Sequence, residues 1–470
     1  MKSFAAALAP ILLLLLPGCF DRRLAPVESD ESAEGGEQDL GPFQLKPEWN
    51  GPCQRAEKID VNLGNAPEVF VRAAHCQATG SEPSKDAVSQ WAGRLKNKDR
   101  VRRVDVVYAF CKEAGRECKE LNYSDPWLKD PDELGPPPVK KVKRDLGAVF
   151  MFFFSCPHDT NCGMDWANTH APGMDTKSPL LAFGDTKEDY YSPLRPGFWR
   201  RELMDAKFAG LDFLMPNTYG PDIEDGKLKP LEDALDSLKD PVKIGFFDDT
   251  WTWGQPYFSE FWKTKPDLND PEKAAALIYE HKWKAFFSQI DKKHWYLFQG
   301  RPFIYFYNAG SLTPRSKSAA TVKLLKEKFK ADFGVEPFVD ADGAYFDDPE
   351  MDHVADAKYQ WFTFSTPEKR SRSTMNGHII DHCMVKWDAN GRDHAGEPPR
   401  PSDLIVKDDR FLRKILKESE DAEVLVIATW NDLGEGTGFN RAYDYYFHGQ
   451  WQRPDYFMRV TRKAREGKLK

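Results

Sequence analysis

The chain carries no surplus of positive charge: 66 Lys and Arg face 74 Asp and Glu, a net charge of −8. That balance argues against a nucleic-acid partner or an anionic membrane surface, both of which draw basic faces. A Gly-rich dinucleotide or phosphate loop is missing, so a doubly wound sheet, the alternative architecture, has no motif behind it. No Gly-X-Ser-X-Gly elbow is present to nominate a serine hydrolase. The apolar stretch from Phe4 to Leu16 falls short of the ~20 residues that a membrane-spanning helix needs. Complete metal-ligand sets are lacking too. Cys156, His158 and Cys162 with His170 have no second Cys pair at zinc spacing. Asp340-Ala341-Asp342-Gly343 lacks the further acidic positions of a calcium loop. Neither a metal nor a cofactor is expected.

What is present is length, apolar mass and aromatic rings. At 470 residues, with 41% hydrophobic residues, 14 Trp and 32 Phe, the chain can fill a barrel and an accessory module. Its start is read as a targeting segment: Lys2, the apolar stretch, then Leu16-Pro17-Gly18-Cys19. This resembles a bacterial lipoprotein signal (residues 1–18) with Cys19 as the lipidated residue, although Pro17 replaces the usual small residue. Phe20 after the cysteine, in place of Asp, points to the outer membrane, on its periplasmic or its outer face. An ordinary secretory signal is the alternative, and either reading puts the mature chain outside the cytoplasm.

Residues 19–50 are acidic and rich in Gly and Pro, which predicts a disordered linker. From 51 to 125, Phe70, Val71 and Ala74, then Val88, Trp91 and Leu95, then Val104, Val107 and Phe110 recur at helical spacing and predict a small helical module. The pieces Phe70-Val71-Arg72 to Pro83, Trp91 to Leu95 and Val104 to Phe110 resemble a short helical domain of unknown function from bacterial surface proteins. A Pro-rich joint, 126–145, follows. Seven cysteines besides Cys19 fit an oxidising compartment, and Cys53/Cys76, Cys111/Cys118 and Cys156/Cys162 are the local pairings to test; Cys383 is the odd one.

From 146 to 470 strand and helix patterns alternate. Strands are expected at Ala148–Phe154, Leu211–Met215, Val242–Phe247, Pro302–Tyr307, Val335–Val339, Tyr359–Phe364, Met384–Trp387 and Glu423–Thr429. Helices are expected at Phe198–Ala209, Leu228–Leu238, Pro271–Ile290, Ser316–Phe329 and Ser402–Lys417. Eight strands with helices between them match a (β/α)8 TIM barrel. Polar groups collect after the strands: His158 and Asp159, Asn217, Tyr219 and Asp222, Asp248, Asp249 and Trp251, Asn308, Asp340 and Asp342, then Trp430, Asn431, Asp432 and Glu435. A barrel enzyme places its chemistry at these ends, and two carboxylates at one strand end suit acid/base work on a sugar bond. Asp248, Asp249, Tyr219, Asn217, Trp251, Asn308, Trp430 and Asn431 are the candidate glycan contacts. Of the Asp248/Asp249 pair, one is expected to bind sugar hydroxyls and the other to cap the turn.

The segment Trp430-Asn431-Asp432-Leu433-Gly434-Glu435-Gly436-Thr437 resembles the Trp/Phe-Asn-Glu-X-X-Glu-Gly-Thr signature of endo-α-mannosidase-type enzymes, glycoside hydrolase family 99. It is closer still to a related bacterial family of unknown function with the same expected barrel. Weaker pieces accompany it in order: Tyr190-Tyr191-Ser192, Trp199 to Leu203, Ala209 to Phe213, Val242 to Thr250 and Gly300 to Ile304. The resemblance implies an α-linked glycan as substrate, mannose-containing ones among them, cleaved internally with retention. Glu435 would be the general acid and Asp432 the base that helps a substrate hydroxyl attack. Asp432 departs from the signature, being one methylene shorter than Glu. The rival expectation is a surface glycan-binding or adhesion lipoprotein that keeps the barrel without turnover. A monomer is expected in either case.

Overall fold

The computed structural model describes residues 53, 61–62, 67–96, 103–115, 123–124, 135–151, 193, 196–218, 228–250, 253, 266–307, 312, 315–361, 370–386, 408–432, 437–441, 446–447, 450–451 and 455–469. Three helices, α1 (Pro67–Thr79), α2 (Lys85–Lys96) and α3 (Arg103–Glu113), lie in the stretch expected to be helical. Phe70, Val71 and Ala74 of α1 and Val106, Val107 and Phe110 of α3 are buried, as their helical spacing requires. The expected Cys53–Cys76 disulfide is formed, with Cα atoms 5.1 Å apart. Cys111 is also disulfide-bonded, to a cysteine outside the described residues. Cys383 is a buried free thiol, and burial pushes its pKa up.

Eight parallel strands build the rest: β1 (Asp145–Met151), β2 (Phe213–Thr218), β3 (Phe246–Asp249), β4 (Arg301–Tyr307), β5 (Phe338–Asp342), β6 (Ala357–Tyr359), β7 (Ile380–Met384) and β8 (Val424–Ala428). They pair in chain order from β1 to β6, and β7 pairs β8, which returns to β1. Only a (β/α)8 barrel has this circular order. Between β6 and β7 the ring is interrupted by a short strand, Ser371–Ser373, antiparallel to β7. Its link to β6 is made by side chains: the Lys358 and Gln360 backbone N–H groups donate to Ser373 Oγ (3.1 Å) and Ser371 Oγ (2.9 Å).

Helices α4 (Pro196–Ala209), α5 (Lys229–Ser237), α6 (Pro271–Ile278), α7 (Ser318–Phe333), α8 (Arg410–Glu418) and α9 (Tyr456–Arg465) accompany the strands. Their boundaries follow local rules. Asp270 caps α6 ahead of Pro271, and α7 ends at Gly334 with φ 79°. Gly210 closes α4 at φ 90°, and a Cβ there would stand 2.7 Å from Arg465 of α9. The helix expected over Pro271–Ile290 is broken by a π-helical turn at Tyr279–Lys284. Among the described residues β5 and β6 are joined by 3-10 turns rather than an α-helix.

The registers place Phe213, Phe303 and Phe338 inside the barrel near its base, where the Phe303 and Phe338 rings stack at 5.5 Å. Gly147 lies beside them because any Cβ would stand 2.2 Å from the Phe213 ring. Above this apolar floor the inward residues turn polar: Asn217, Asp249, Tyr305, Tyr307, Asp340, Asp342, Tyr359 and His382. Several strands are offset from their expected positions: β1 begins at Asp145 instead of Ala148, and β6 is Ala357–Tyr359 where Tyr359–Phe364 was expected. β5 is Phe338–Asp342 instead of Val335–Val339, and β7 is Ile380–Met384 instead of Met384–Trp387. Apolar runs marked the wrong stretch, because these strands continue through Asp340, Asp342, Asp381 and His382.

Candidate functional site

The segment after β8 is fastened on both sides. Asn431 is fully buried and behaves like an extra length of strand. Its Oδ1 accepts from the Met151 N–H at 2.6 Å, and its Nδ2 donates to the Met151 carbonyl at 3.0 Å. Before it, the Trp430 N–H donates to the Val149 carbonyl at 2.6 Å, and the Ala428-Thr429 peptide is cis. The Trp430 ring is fully buried, and its indole N–H donates to Glu202 of α4. Thr429 and Thr437 hydroxyls meet at 2.8 Å across the loop, and the Asp432 N–H donates to Thr429 Oγ1 at 2.9 Å. The loop then turns back: Gly438 donates to the Asp432 carbonyl, while Phe439 and Asn440 both donate to that of Trp430. Gly438 lets the chain pass closely here, since a Cβ would press to 3.1 Å against the Asn431 and Asp432 backbone.

Asp432 thus stands 5% exposed at the barrel's C-terminal end, on a segment tied by the side chains of Thr429, Asn431 and Thr437 and by the backbone of Trp430 and Gly438. Glu435 lies outside the described residues, as do Tyr219, Trp251, Asn308 and Cys19. The Cys156, His158, Cys162 and His170 cluster and the Cys118 and Cys162 pairings also fall there.

Asp248 and Asp249 face opposite ways, as neighbours on a strand must. Asp248 points outward to the π-helical turn, where Lys282 Nζ (2.9 Å) and Trp283 Nε1 (2.7 Å) donate to its two oxygens. All three side chains are fully buried. Asp248 is therefore a buried anchor between β3 and the π-helical turn rather than a glycan contact. Asp249 is the inward member, and Asn217 Nδ2 donates to it at 3.1 Å. Trp430 and Asn431, expected as glycan contacts, instead spend their polar groups on Glu202 and Met151.

A second layer of buried charge lies behind the motif. Arg441 Nε and Asp205 Oδ2 meet at 2.5 Å, with both side chains at most 2% exposed. Burial, and then the nearby Asp205 carboxylate, push Glu202 up to about 8. Burial also raises Asp205, with Arg441 opposing it. Within the barrel, His382 Nε2 and Asp340 Oδ2 are 2.5 Å apart, and burial raises the Asp340 pKa against the pull of His382. The Tyr305 and Tyr359 rings stack beside them at 3.7 Å. Nothing in the residue pattern announced Glu202 and Asp205. Their spacing of three on a helix whose other face is apolar was the available sign.

Glu232, Asp236 and His294 bring donor atoms within 4.8 Å of one another between α5 and the turn before β4. Lys293 already neutralises Asp236 at 2.6 Å, so that set is an ion-pair cluster.

An eight-stranded barrel with acids and amides at its C-terminal mouth defines a protein of the TIM-barrel class. Residues 189–466 match the family described as domain of unknown function (DUF5010), and the chain belongs to it. No curated protein matches. Among solved structures, the chain is similar to the GH99 endo-alpha-mannosidase from Bacteroides thetaiotaomicron. That likeness has 14% identity and a TM-score of 0.48, covering 68% of this chain and 96% of that one. A structure titled glycoside hydrolase-like protein aligns at 13% identity and a TM-score of 0.44, covering 72% and 99%. A GH138 enzyme targeting pectin rhamnogalacturonan II aligns at 9% identity and a TM-score of 0.34, covering 70% and 39%. The strand order itself, rather than these likenesses, defines the fold.

Proposed function

We propose that this chain is an exported, lipid-anchored glycoside hydrolase that cleaves α-linked glycans, mannose-containing ones first among them, at the C-terminal mouth of its barrel. The observation that carries the reading is the clamped segment bearing Asp432. A carboxylate on a segment held at five positions, three through side chains and two through the backbone, is positioned before substrate arrives, and such preorganisation is what acid/base chemistry on a sugar bond demands. In this scheme Asp432 draws the proton from a substrate hydroxyl that attacks the anomeric carbon, and Glu435 protonates the departing oxygen. Water then opens the resulting cyclic intermediate at the same carbon, giving its proton to Glu435 while Asp432 returns the first proton to the substrate oxygen, and the two inversions give net retention. The Glu435 role rests on the signature alone. Disulfides at Cys53–Cys76 and Cys111 support export to an oxidising compartment.

The test is a screen of α-linked glycans with wild type, Asp432→Asn and Glu435→Gln. Loss of turnover by on the order of 100-fold or more in each variant is expected. Equal inertness of all three on every glycan would falsify the enzyme reading. The aspartate at 432, one methylene shorter than the signature glutamate, favours a second reading: a surface protein that binds glycans without cleaving them. Glycan binding without cleavage, indifferent to Glu435→Gln, decides for that second reading.

A further inference from the structure

The interrupted side of the barrel carries a cleft of about 940 Å³, and among the described residues none of its lining belongs to the clamped segment after β8. It opens where β4, β5 and β6 end, along the seam with Ser371–Ser373. Its walls include Tyr307, Asp342, Tyr359, Gln360, Trp361 and Arg372. Trp361 is half-buried. Its ring is stacked on Phe247 at 5.7 Å and 13° and braced by Tyr307 at 4.8 Å, so the indole is held as a fixed plate.

The polar groups around that plate are hydrogen-bonding rather than ion-binding. Asp342, inward at the end of β5, accepts the Ala344 N–H at 2.8 Å through Oδ1. Gln360 is exposed beside Trp361. Of the two cationic groups described in the lining, Arg372 is ion-paired and Lys358 is not. Arg372 is held by Asp381 (2.8 Å) and Asp421 (2.6 Å), and the Lys358 ammonium lies over the Phe346 ring at 4.3 Å. An anionic ligand would meet the Asp342 carboxylate, with the exposed Lys358 as the single described cation of the lining not held by a carboxylate, so an uncharged ligand is the better fit. A flat apolar plate edged by a carboxylate and an amide matches a pyranose ring, which has an apolar C–H face and equatorial hydroxyls.

We propose that this cleft is a binding subsite for an uncharged pyranose unit, with Trp361 as the stacking platform and Asp342 and Gln360 as the groups that receive and donate hydrogen bonds. The inference rests on the glycan reading above and adds to it the place and the charge class of a bound sugar. The catalytic segment approaches the mouth from the β8 side and the cleft from the β4–β6 side, so the subsite would hold a unit of the chain away from the bond being cut.

The experiment is a calorimetric titration of the full chain with a panel of neutral di- and trisaccharides of glucose, mannose and galactose. Glucuronic and galacturonic disaccharides form the charged arm. Wild type, Trp361→Ala, Trp361→Phe, Gln360→Ala and Asp432→Asn are compared, with turnover followed in parallel. At least one neutral sugar is expected to bind. Trp361→Ala should weaken it about tenfold or more, because truncating an aromatic anchor removes the main contact. Trp361→Phe, which keeps a ring and guards against a folding defect, should recover part of that loss. Gln360→Ala should weaken binding severalfold, and Asp432→Asn should leave it within about twofold. Binding of a neutral sugar that ignores both Trp361 and Gln360 overturns the subsite while leaving the hydrolase reading intact. Trp361-dependent binding without turnover leaves the subsite standing and removes the hydrolase. Preference for the charged arm, or no binding on the panel, overturns the proposal.

Discussion

The two sides of the barrel mouth are built differently. After β8 the chain is bolted down: backbone to β1, an asparagine standing in for a strand, an indole on Glu202 and a buried Arg441–Asp205 pair behind. At the β6–β7 seam the ring is joined by two serine hydroxyls and a three-residue strand, and a cleft opens there. One side invests in a fixed carboxylate, the other gives up ladder bonds for space. A barrel that must both position a reacting group and admit a ligand has reason to separate these tasks.

The largest expected effect comes from unbolting the rigid side. Asp205→Ala removes a hydrogen-bonded carboxylate from the buried Arg441, at a cost of about 3–5 kcal/mol. Urea unfolding measures it. A loss below about 1 kcal/mol would show that the pair is not what holds α4 to the motif.

Next is pH. Glu202 stands at about 8 in the folded chain against 4.5 in its ordinary state, so the folded protein holds a proton there that the unfolded chain releases. Stability from this group is whole below pH ~4.5 and is lost as pH rises through ~8, with a slope of up to about 1.4 kcal/mol per pH unit. Glu202→Gln removes the titration and should flatten the stability profile between pH 5 and 8 relative to wild type. The same slope in both proteins would assign the pH dependence to other groups. Ligand-free tryptophan fluorescence should also shift less with pH in the variant, since Glu202 accepts the Trp430 indole.

Much of this barrel was legible in the sequence, and the misses have more than one cause. β8, Val424–Ala428, is aliphatic and buried on both faces, so its run names it. β5 and β7 were shifted by three or four residues, because a barrel mouth forces inward side chains to be polar just where the apolar signal is sought. The site divides in the same way. Asp432 was legible from its signature, and Asp249 from its strand end. That Asp248 turns to Lys282 and Trp283 depended on a π-helical turn that periodicity does not announce. Trp361 was missed because the strand expected at Tyr359–Phe364 placed it inside β6, whereas β6 ends at Tyr359.

The smallest effect should come from the seam. Ser371→Ala takes the acceptor from the Gln360 N–H, at an exposed position where water can replace it. Ser373→Ala does the same to Lys358 at a residue only 3% exposed, where replacement is harder. A net hydrogen bond is worth about 1 kcal/mol, so Ser371→Ala should cost less than that and Ser373→Ala about that much. The sharper readout is amide hydrogen exchange, which should quicken at residues 358 and 360 and leave residue 430 unchanged. Exchange that quickens equally on both sides of the mouth would mean that the seam and the clamped segment open together. The contrast between a loose side and a fixed side would then be one of geometry alone, not of stability.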